Sequence, residues 1–285
     1  MIENPVINQA INYILDHIEE EISVEQVAEY CHFSKYYFNR VFKSETGESI
    51  YSYIRKVKME QSAFRLKVER QRSITDIGLE YGYSASNYST AFRQHHEISP
   101  VLFRKTIVKQ SIEHPFFHQD ENQLDTLEQC RQRITIETLD DIPVLYERRI
   151  GNYHNLELNW TEFLDQYKEY VKKDTLLIER TFDDPSITDP DGCLYDVCMS
   201  VDEDSRVLLK KEHNLTNTCI LEGGRFAVYH FKGYPKQIYA AYQSIFNIWF
   251  PSTKYEIDDR YGFDIYSNVD CNTMYMEVDL CIPIR

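Results

Sequence analysis

The sequence predicts a multidomain protein in which an all-α double helix-turn-helix domain precedes an α+β domain with a pseudo-duplicated antiparallel sheet. Three observations favour this fold class. A helical segment recurs fifty residues later without a gap. The hydrophobic period changes from helical to alternating after residue 130. The basic side chains are concentrated in one part of an acidic chain. A length of 285 residues is enough for two ordinary domains.

The repeat consists of residues 22–43 and their counterparts at 72–93. Each copy reads as a short helix, a tight turn and a second helix whose apolar residues recur at spacings of three and four. Serine is a favoured N-cap because its hydroxyl accepts a hydrogen bond from a free amide of the first turn. The predicted N-caps are Ser23 and Ser34 in the first copy and Ser73 and Ser84 in the second.

Small residues mark the predicted crossing of the two helices in each copy. Ala28 and Gly78 occupy equivalent positions on the first helix and let the second helix approach closely. The tight turn contains His32 in the first copy and Gly82 in the second. Between the copies, residues 51–69 predict a helix about 27 Å long. Such a rod can hold two recognition helices in successive major grooves, which lie about 34 Å apart.

The charge distribution favours DNA as a partner of this domain, although the formal net charge is −15. Residues 31–72 contain ten Lys and Arg but only four acidic residues, whereas residues 1–30 contain seven acids and no Lys or Arg. Cationic side chains replace the counterions of DNA, so a compact basic block outweighs the average charge. The outer face of the second helix carries a polar stripe of Lys35, Tyr36, Asn39, Arg40 and Lys43.

The second half of the chain has the pattern of an α+β domain. Strand-like alternation begins at about residue 131. A unit of a strand, a Gly and an aromatic helix then occurs twice, and the first of these helices covers about 155–172. Residues 110–130 contain Pro115 and lack Lys and Arg, which is typical of a connector. The predicted organisation is therefore 1–109, a linker at 110–130, and 131–285. Phe116 and Phe117 are expected to pack on a domain.

Composition excludes several other classes. The seven cysteines are scattered without a CxxC pair, which indicates reduced thiols in a cytoplasmic protein and no zinc site. No uncharged apolar stretch is long enough for a membrane span, and the acidic N-terminal segment is unlike a signal peptide. We expect no metal, no cofactor and no membrane partner.

Residues 1–109 closely resemble the DNA-binding domain of AraC-family transcription regulators. The matching segments are FSKYYFNRVFKSETGESIYSYIRKVKMEQSAFRL and SITDIGLEYGYSASNYSTAFRQHHEISPVLFRK. The resemblance implies double-stranded DNA as the partner, bound by a monomer rather than a dimer, and RNA polymerase as a further candidate partner. It implies base contacts by Tyr36, Asn39 and Arg40, and phosphate contacts by Lys35, Lys43 and Arg93.

Two positions in the second copy depart from the AraC pattern. Thr90 stands where the family usually has a basic residue, so the second recognition helix should read DNA weakly through Ser86, Asn87 and Thr90. Glu97 stands where the family usually has Gly, as Gly47 does in the first copy. Glutamate lacks the freedom of glycine at positive φ, so we expect the end of that helix to be remodelled.

Residues 131–285 resemble the GyrI-like effector-binding domain in segments such as IPVLYERRIGNY, LYDVCMSV, LEGGRFAVYHFKGYP and YGFDIY. The resemblance implies a small hydrophobic or cationic effector held in a cleft of the duplicated sheet. Asp264 occupies the position of the family's acidic residue, which is usually Glu, and shares a strand face with Tyr266. The implied ligand-binding residues are Tyr153, Tyr195, Trp249, Asp264 and Tyr266.

These residues could instead have structural roles. Trp249 could belong to the core, and Asp264 could pair with Arg260. The main interpretation is a regulator that binds DNA and senses an effector, and is not an enzyme. One alternative is a GyrI-like hydrolase fused to a DNA-binding domain, with Asp264 acting beside Trp249. Another is a regulator whose second domain serves only protein contacts.

Overall fold

The structure is a computed structural model that describes residues 1–117, 122–202, 204–205, 207–209, 217–270 and 272–285. The chain separates into two compact units, Ile2–Val108 and Lys109–Arg285, with Met1 assigned to the second unit. The boundary falls inside helix α7, which starts in the first unit and ends in the second.

The first unit is helical and contains the repeat twice, as α2–α3 and α5–α6. Its helices are α1 (Pro5–Asp16), α2 (Val24–Tyr30), α3 (Lys35–Thr46), α4 (Ile50–Val68), α5 (Ile74–Glu80), α6 (Ala85–His96) and α7 (Pro100–Glu113). Helix α4 joins the two copies and is buried over most of its length. Its Lys58 donates to the backbone carbonyls of Glu20 and Tyr81 at 2.7 and 3.1 Å, which ties α4 to both of its flanks.

The helix caps follow the sequence pattern in two of four cases. Ser23 forms a reciprocal capping box with Gln26 at the start of α2. The Ser73 hydroxyl accepts from the Asp76 amide at 3.0 Å at the start of α5. Ser34 and Ser84 occupy the N-cap positions of α3 and α6, but neither side chain accepts a capping hydrogen bond. The expectation of side-chain caps is therefore wrong for these two.

The second copy shows why a small residue is needed where the helices cross. A Cβ atom on Gly78 of α5 would lie 2.7 Å from the Tyr88 ring of α6. His32 and Gly82 occupy the two turns, and both adopt positive φ angles, 62° and 81°. The two copies thus share a backbone path even where only one of them has glycine.

The end of α6 is not remodelled, which corrects the expectation drawn from Glu97. Glu97 adopts a left-handed conformation with φ 62°, and Gly47 at the end of α3 has φ 83°. The Glu97 amide donates to Arg93 O at 3.0 Å, as the Gly47 amide donates to Lys43 O at 3.0 Å. The fold therefore imposes the glycine conformation on a glutamate.

The connecting segment contains a helix, α8 (Leu127–Arg133), which is closed at its start by a capping box between Thr126 and Gln129. Phe117 is buried in a cluster with Tyr239, and the Phe116 ring lies 4.6 Å from the His154 ring. The two phenylalanines thus pack on the second unit, as expected.

The described part of the second unit contains one eight-stranded antiparallel sheet in the order β1-β6-β8-β7-β3-β4-β2-β5. The strands are β1 (Ile134–Leu139), β2 (Ile142–Ile150), β3 (Leu177–Thr181), β4 (Leu194–Ser200), β5 (Thr218–Leu221), β6 (Gly224–Gly233), β7 (Phe263–Val269) and β8 (Met276–Pro283). The sheet curls into a half-barrel. Helix α9 (Leu156–Tyr167) follows β2 through a short 3₁₀ turn, and α10 (Ile238–Ser244) follows β6 in the same way.

The inner face of the curl holds an apolar cluster that draws residues from distant strands, including Tyr146, Cys198, Phe226 and Phe263. On the same face Arg148, Asp196 and Arg180 lie side by side on β2, β4 and β3, and we call them the buried ion cluster. Arg148 and Arg180 each donate to the Asp196 carboxylate, at 2.8 and 2.6 Å. The three charges thereby fix the pairing of three neighbouring strands.

The opposite face is covered by helices. Leu145, Val197 and Met199 of the sheet pack against Phe163 and Tyr167 of α9. A register row crosses this face from β2 to β1 through Glu147, Val197, Glu179, Asp264, Leu280, Tyr229 and Ile134. Opposed residues of antiparallel strands point to the same face, so this row places two carboxyl groups at the centre of the sheet.

Candidate DNA-binding surface and buried acidic site

Helix α3 presents the polar stripe predicted from the sequence. Phe38 and Phe42 are buried and anchor the inner face of the helix. On the outer face Tyr36 is 87% exposed. Arg40 is exposed and lies over the Tyr37 ring with its guanidinium carbon 5.7 Å from the ring centroid, and Lys43 is exposed one turn further on. This surface offers one guanidinium and one phenol ring to a groove.

Two residues of the stripe are engaged within the protein. The amide oxygen of Asn39 accepts a hydrogen bond from the Ile50 amide at 3.0 Å, so it closes the start of α4. Its amide NH₂ group remains the part that can donate to DNA. The Lys35 ammonium is hydrogen-bonded to Glu25, so a phosphate contact by Lys35 requires exchange of that partner.

The outer face of α6 is polar but carries less charge. Ser86, Asn87, Thr90 and Arg93 are all exposed, as the sequence predicts for a second recognition helix. The Thr90 hydroxyl donates to the Ser86 carbonyl at 3.0 Å, which occupies its hydrogen. Arg93 is therefore the one predicted contact on this helix with a positive charge.

At the centre of the helix-covered face of the sheet lie two neighbouring buried carboxyl groups, Glu179 of β3 and Asp264 of β7, which we call the acidic pair. They are register partners on adjacent strands, and their residues are 4% and 2% exposed. The Tyr266 hydroxyl donates to Glu179 at 2.9 Å, and the Tyr242 hydroxyl of α10 donates to Asp264 at 2.5 Å. A phenol therefore satisfies one oxygen of each carboxyl group.

The surroundings of the acidic pair are aromatic. The Trp160 ring of α9 lies 5.5 Å from the Tyr266 ring, and its buried indole N–H favours the ionised form of the neighbouring Glu179. The rings of Tyr153 and Tyr195 are 5.3 Å apart. The Tyr195 hydroxyl accepts from the Asn159 amide of α9 at 2.5 Å. Rings and hydroxyls thus surround the two carboxyl groups.

Burial governs the protonation of the acidic pair. It raises the pKa of Glu179 from its usual 4.5 to about 7, against the opposing effect of the Tyr266 hydrogen bond. Burial, and then the adjacent Glu179 charge, raise the pKa of Asp264 well above its usual value. Desolvation and like charge both disfavour a second negative charge. The pair therefore tends to retain protons near neutral pH.

Trp249 and Arg260 have other partners in the structure. Trp249 stacks on Tyr255 and contacts Phe250, with ring centroids 5.9 and 5.0 Å away. The tryptophan beside the acidic pair is Trp160, and ligand binding by Trp249 stays a prediction. Arg260 binds Asp258 at 2.8 Å and does not form the alternative pair with Asp264.

Residues 132–285 match the family model of the GyrI-like small molecule binding domain, and residues 27–106 match that of a helix-turn-helix domain. The multiple antibiotic resistance protein MarA of Escherichia coli K12 is 34% identical over 101 residues, which cover 35% of this chain and 79% of MarA. The chain is an AraC-family transcription regulator with a GyrI-like domain.

Two further similarities concern the AraC-type unit. The transcriptional regulator Rob of Salmonella typhimurium is 30% identical over 102 residues, which cover 35% of this chain and 35% of Rob. The C-terminal domain of AraT, a response regulator from Geobacillus stearothermophilus, is 31% identical with a TM-score of 0.35, covering 36% of this chain and 86% of that chain. No helix of the described residues is both long and apolar enough to span a membrane.

Of the acidic pair, only Asp264 is predicted from the sequence. Glu179 lies between Ile178 and Arg180 in a five-residue strand, and no motif distinguishes it there. The residues Asn159, Trp160 and Tyr242 also went unnoticed, because each reads as an ordinary position on an amphipathic helix. The available signal is the acidic side chain that follows Leu177 and Ile178 in a short strand, since a fully buried glutamate is unusual.

Proposed function

We propose that this regulator binds operator DNA through the outer faces of α3 and α6, as a monomer, with α3 supplying most of the base contacts. The exposed stripe supports this, because Arg40 can donate to guanine and Tyr36 can contact a thymine methyl group. Lys43 and Arg93 are suited to phosphate contacts that position the two helices. RNA polymerase is a further proposed partner of the DNA-bound protein.

We further propose that the aromatic site around Asp264 binds a small hydrophobic or cationic effector, which changes the affinity of the protein for DNA. The observation that carries this proposal is a carboxyl group 2% exposed among aromatic rings, with no Lys or Arg pairing with it in the described residues. An unpaired buried carboxylate is costly, and a bound cation would remove that cost. Tyr and Trp faces attract the same ligands.

The effector would reach the acidic pair only after the aromatic cover moves. Asp264 is bound to Tyr242 of α10, and Trp160 of α9 lies beside Tyr266. A cation at Asp264 would therefore displace the Tyr242 hydroxyl and shift α10 relative to the sheet. An effector acts by favouring one of two arrangements, and this shift is the difference that we propose it selects.

The test uses matched cationic and neutral amphipathic compounds on the wild type and on Asp264→Asn. Binding to the folded state raises the thermal midpoint of unfolding, which the two tryptophans of the GyrI-like domain report. We expect Asp264→Asn to weaken the binding of cations tenfold or more, which corresponds to about 1.4 kcal/mol or more. The binding of neutral analogues should weaken much less. Equal losses would exclude a carboxylate contact. A panel without any stabilising compound would overturn the effector proposal.

A further inference from the structure

The acidic site contains two carboxyl groups that act on each other. Glu179 and Asp264 are directly opposed across β3 and β7. Directly opposed residues of neighbouring antiparallel strands have Cβ atoms about 5 Å apart. At such a separation two ionised carboxylates repel strongly when water is excluded. The charge on one group therefore determines the charge on the other.

Nothing described around the acidic pair supplies a compensating positive charge. The titratable groups that interact with it are Tyr153, Tyr195, Tyr242 and Tyr266 on its own side of the sheet and Cys281 on the inner face. Burial raises the pKa of each of them, so all five remain neutral near pH 7. The nearest ion pair on the same register row is Glu147 with Arg149 at 2.9 Å, and the Arg149 guanidinium also binds Glu162 at 3.0 Å, so its charge is already engaged.

We propose that the acidic pair is a proton-exchanging cation site, in which a bound cationic effector replaces a proton held by Glu179 and Asp264. Glu179 is then a second specificity-determining carboxyl group of the site. On binding, one carboxylic O–H bond breaks, the proton passes to solvent, and the carboxylate pairs with the cation. This inference rests on the proposed effector function, and it adds that a proton is released when the cation binds.

The decisive probe is tetraphenylphosphonium, whose permanent charge carries no proton of its own. Titration calorimetry in buffers of different ionisation enthalpy measures the protons released on binding. We expect release of about one proton, and a Kd that falls by up to about tenfold per pH unit between about pH 6 and pH 8. Triphenylphosphine oxide, a neutral molecule of similar shape, should bind without proton release and with a Kd independent of pH.

Two isosteric variants test whether the pH dependence of binding comes from the acidic pair. Glu179→Gln removes the repulsion from Asp264 but not its burial, so proton release near pH 7 should fall and the range over which the Kd depends on pH should move to lower pH. Glu147→Gln changes a buried glutamate of the same row whose charge is already balanced by Arg149, and it should keep the wild-type pH dependence. Equal pH profiles for the wild type and Glu179→Gln would overturn the role of Glu179.

A measurement without ligand tests the same coupling. Because the pKa of Glu179 is raised on folding, its contribution to stability is fully present below about 4.5 and is lost as the pH rises through about 7. The thermal midpoint of the wild type should therefore fall relative to Glu179→Gln across that range. A constant difference between the two midpoints would contradict the shared proton.

The outcomes separate this inference from the proposed function. Tight binding of tetraphenylphosphonium that is independent of pH, without proton release, would overturn the proton exchange and leave the effector site intact. Failure of tetraphenylphosphonium to bind at any pH would overturn the exchange alone if other compounds of the panel still stabilise the protein, and both proposals if none does.

Discussion

A glutamate holds the left-handed backbone at the end of α6, where a glycine holds it at the end of α3. Glu97 and Gly47 have φ angles of 62° and 83° and make equivalent capping hydrogen bonds. A side chain with a Cβ atom is strained in this region, by about 1 kcal/mol or more. The local preference of Glu97 is therefore overridden by the packing of α6 and α7 around it.

Substituting Glu97→Gly should stabilise the helix-turn-helix unit by about 1 kcal/mol, because glycine accepts this conformation without strain. The matched control is Gly47→Ala, which introduces the same strain at the equivalent position. Since a Cβ at Gly47 would meet no atom within 4 Å, its loss of stability is conformational and not steric. Thermal unfolding followed by circular dichroism measures both changes. A loss of stability in Glu97→Gly would show that the glutamate side chain makes a compensating contribution.

The two recognition helices are equivalent in backbone but differ in what they offer to DNA. On α3, Arg40 and Lys43 are exposed and Tyr36 projects freely, whereas on α6 the equivalent surface has Ser86, Asn87 and Thr90 ahead of a single Arg93. We therefore expect α3 to contribute more than α6 to the preference for particular DNA sequences.

Substituting Arg40→Ala should weaken specific DNA binding by about 1–3 kcal/mol and relax the preference for one base pair. Thr90→Ala, at the basic position of other family members, should have a smaller effect because its hydroxyl already donates to Ser86. Competition binding against randomised operator sequences, at fixed salt, measures both. An unchanged base preference in Arg40→Ala would show that α3 is not the main reader.

At the scale of secondary structure elements, the helical unit could be predicted closely and the acidic site only in part. The repeat, the linking helix and the crossing at Gly78 are all encoded by neighbouring residues, so local periodicity reveals them. Asp264 was found because it lies in a motif. Strand pairing places Glu179 beside it, and helix packing places Trp160 beside Tyr266. Both arrangements join segments far apart in the chain, which no local pattern specifies.

At the scale of the whole GyrI-like domain, the buried ion cluster joins three neighbouring strands of the sheet. Arg148 and Asp196 are both fully buried, and Arg180 binds the same carboxylate. The guanidinium groups hold the pKa of Asp196 below its usual value, although burial alone would raise it. Removing the carboxylate leaves two like charges facing each other in the interior of the half-barrel.

Substituting Asp196→Asn should therefore destabilise the GyrI-like domain by about 3–5 kcal/mol, as expected for breaking a buried ion pair. Both tryptophans of the chain, Trp160 and Trp249, lie in this domain, so denaturant unfolding followed by tryptophan fluorescence reports on it selectively. The control is Asp202→Asn, which removes an exposed partner of Lys172 and should change the midpoint little. Similar midpoints for the two variants would show that the cluster is not essential to the fold.

Strand β3 has an acidic side chain on one face and a basic side chain on the other, and this disfavours any other register of the strand in the sheet. Glu179 is on the helix-covered face, and Arg180 is on the inner face as part of the buried ion cluster. A slip of one residue would turn every side chain to the other face. Arg180 would then lose Asp196, and Glu179 would lose Tyr266, so a misaligned strand leaves two buried polar side chains without their native partners. Glu179, which we propose for ligand recognition, therefore also disfavours incorrect pairing of β3 during folding, and an apolar residue at this position would not.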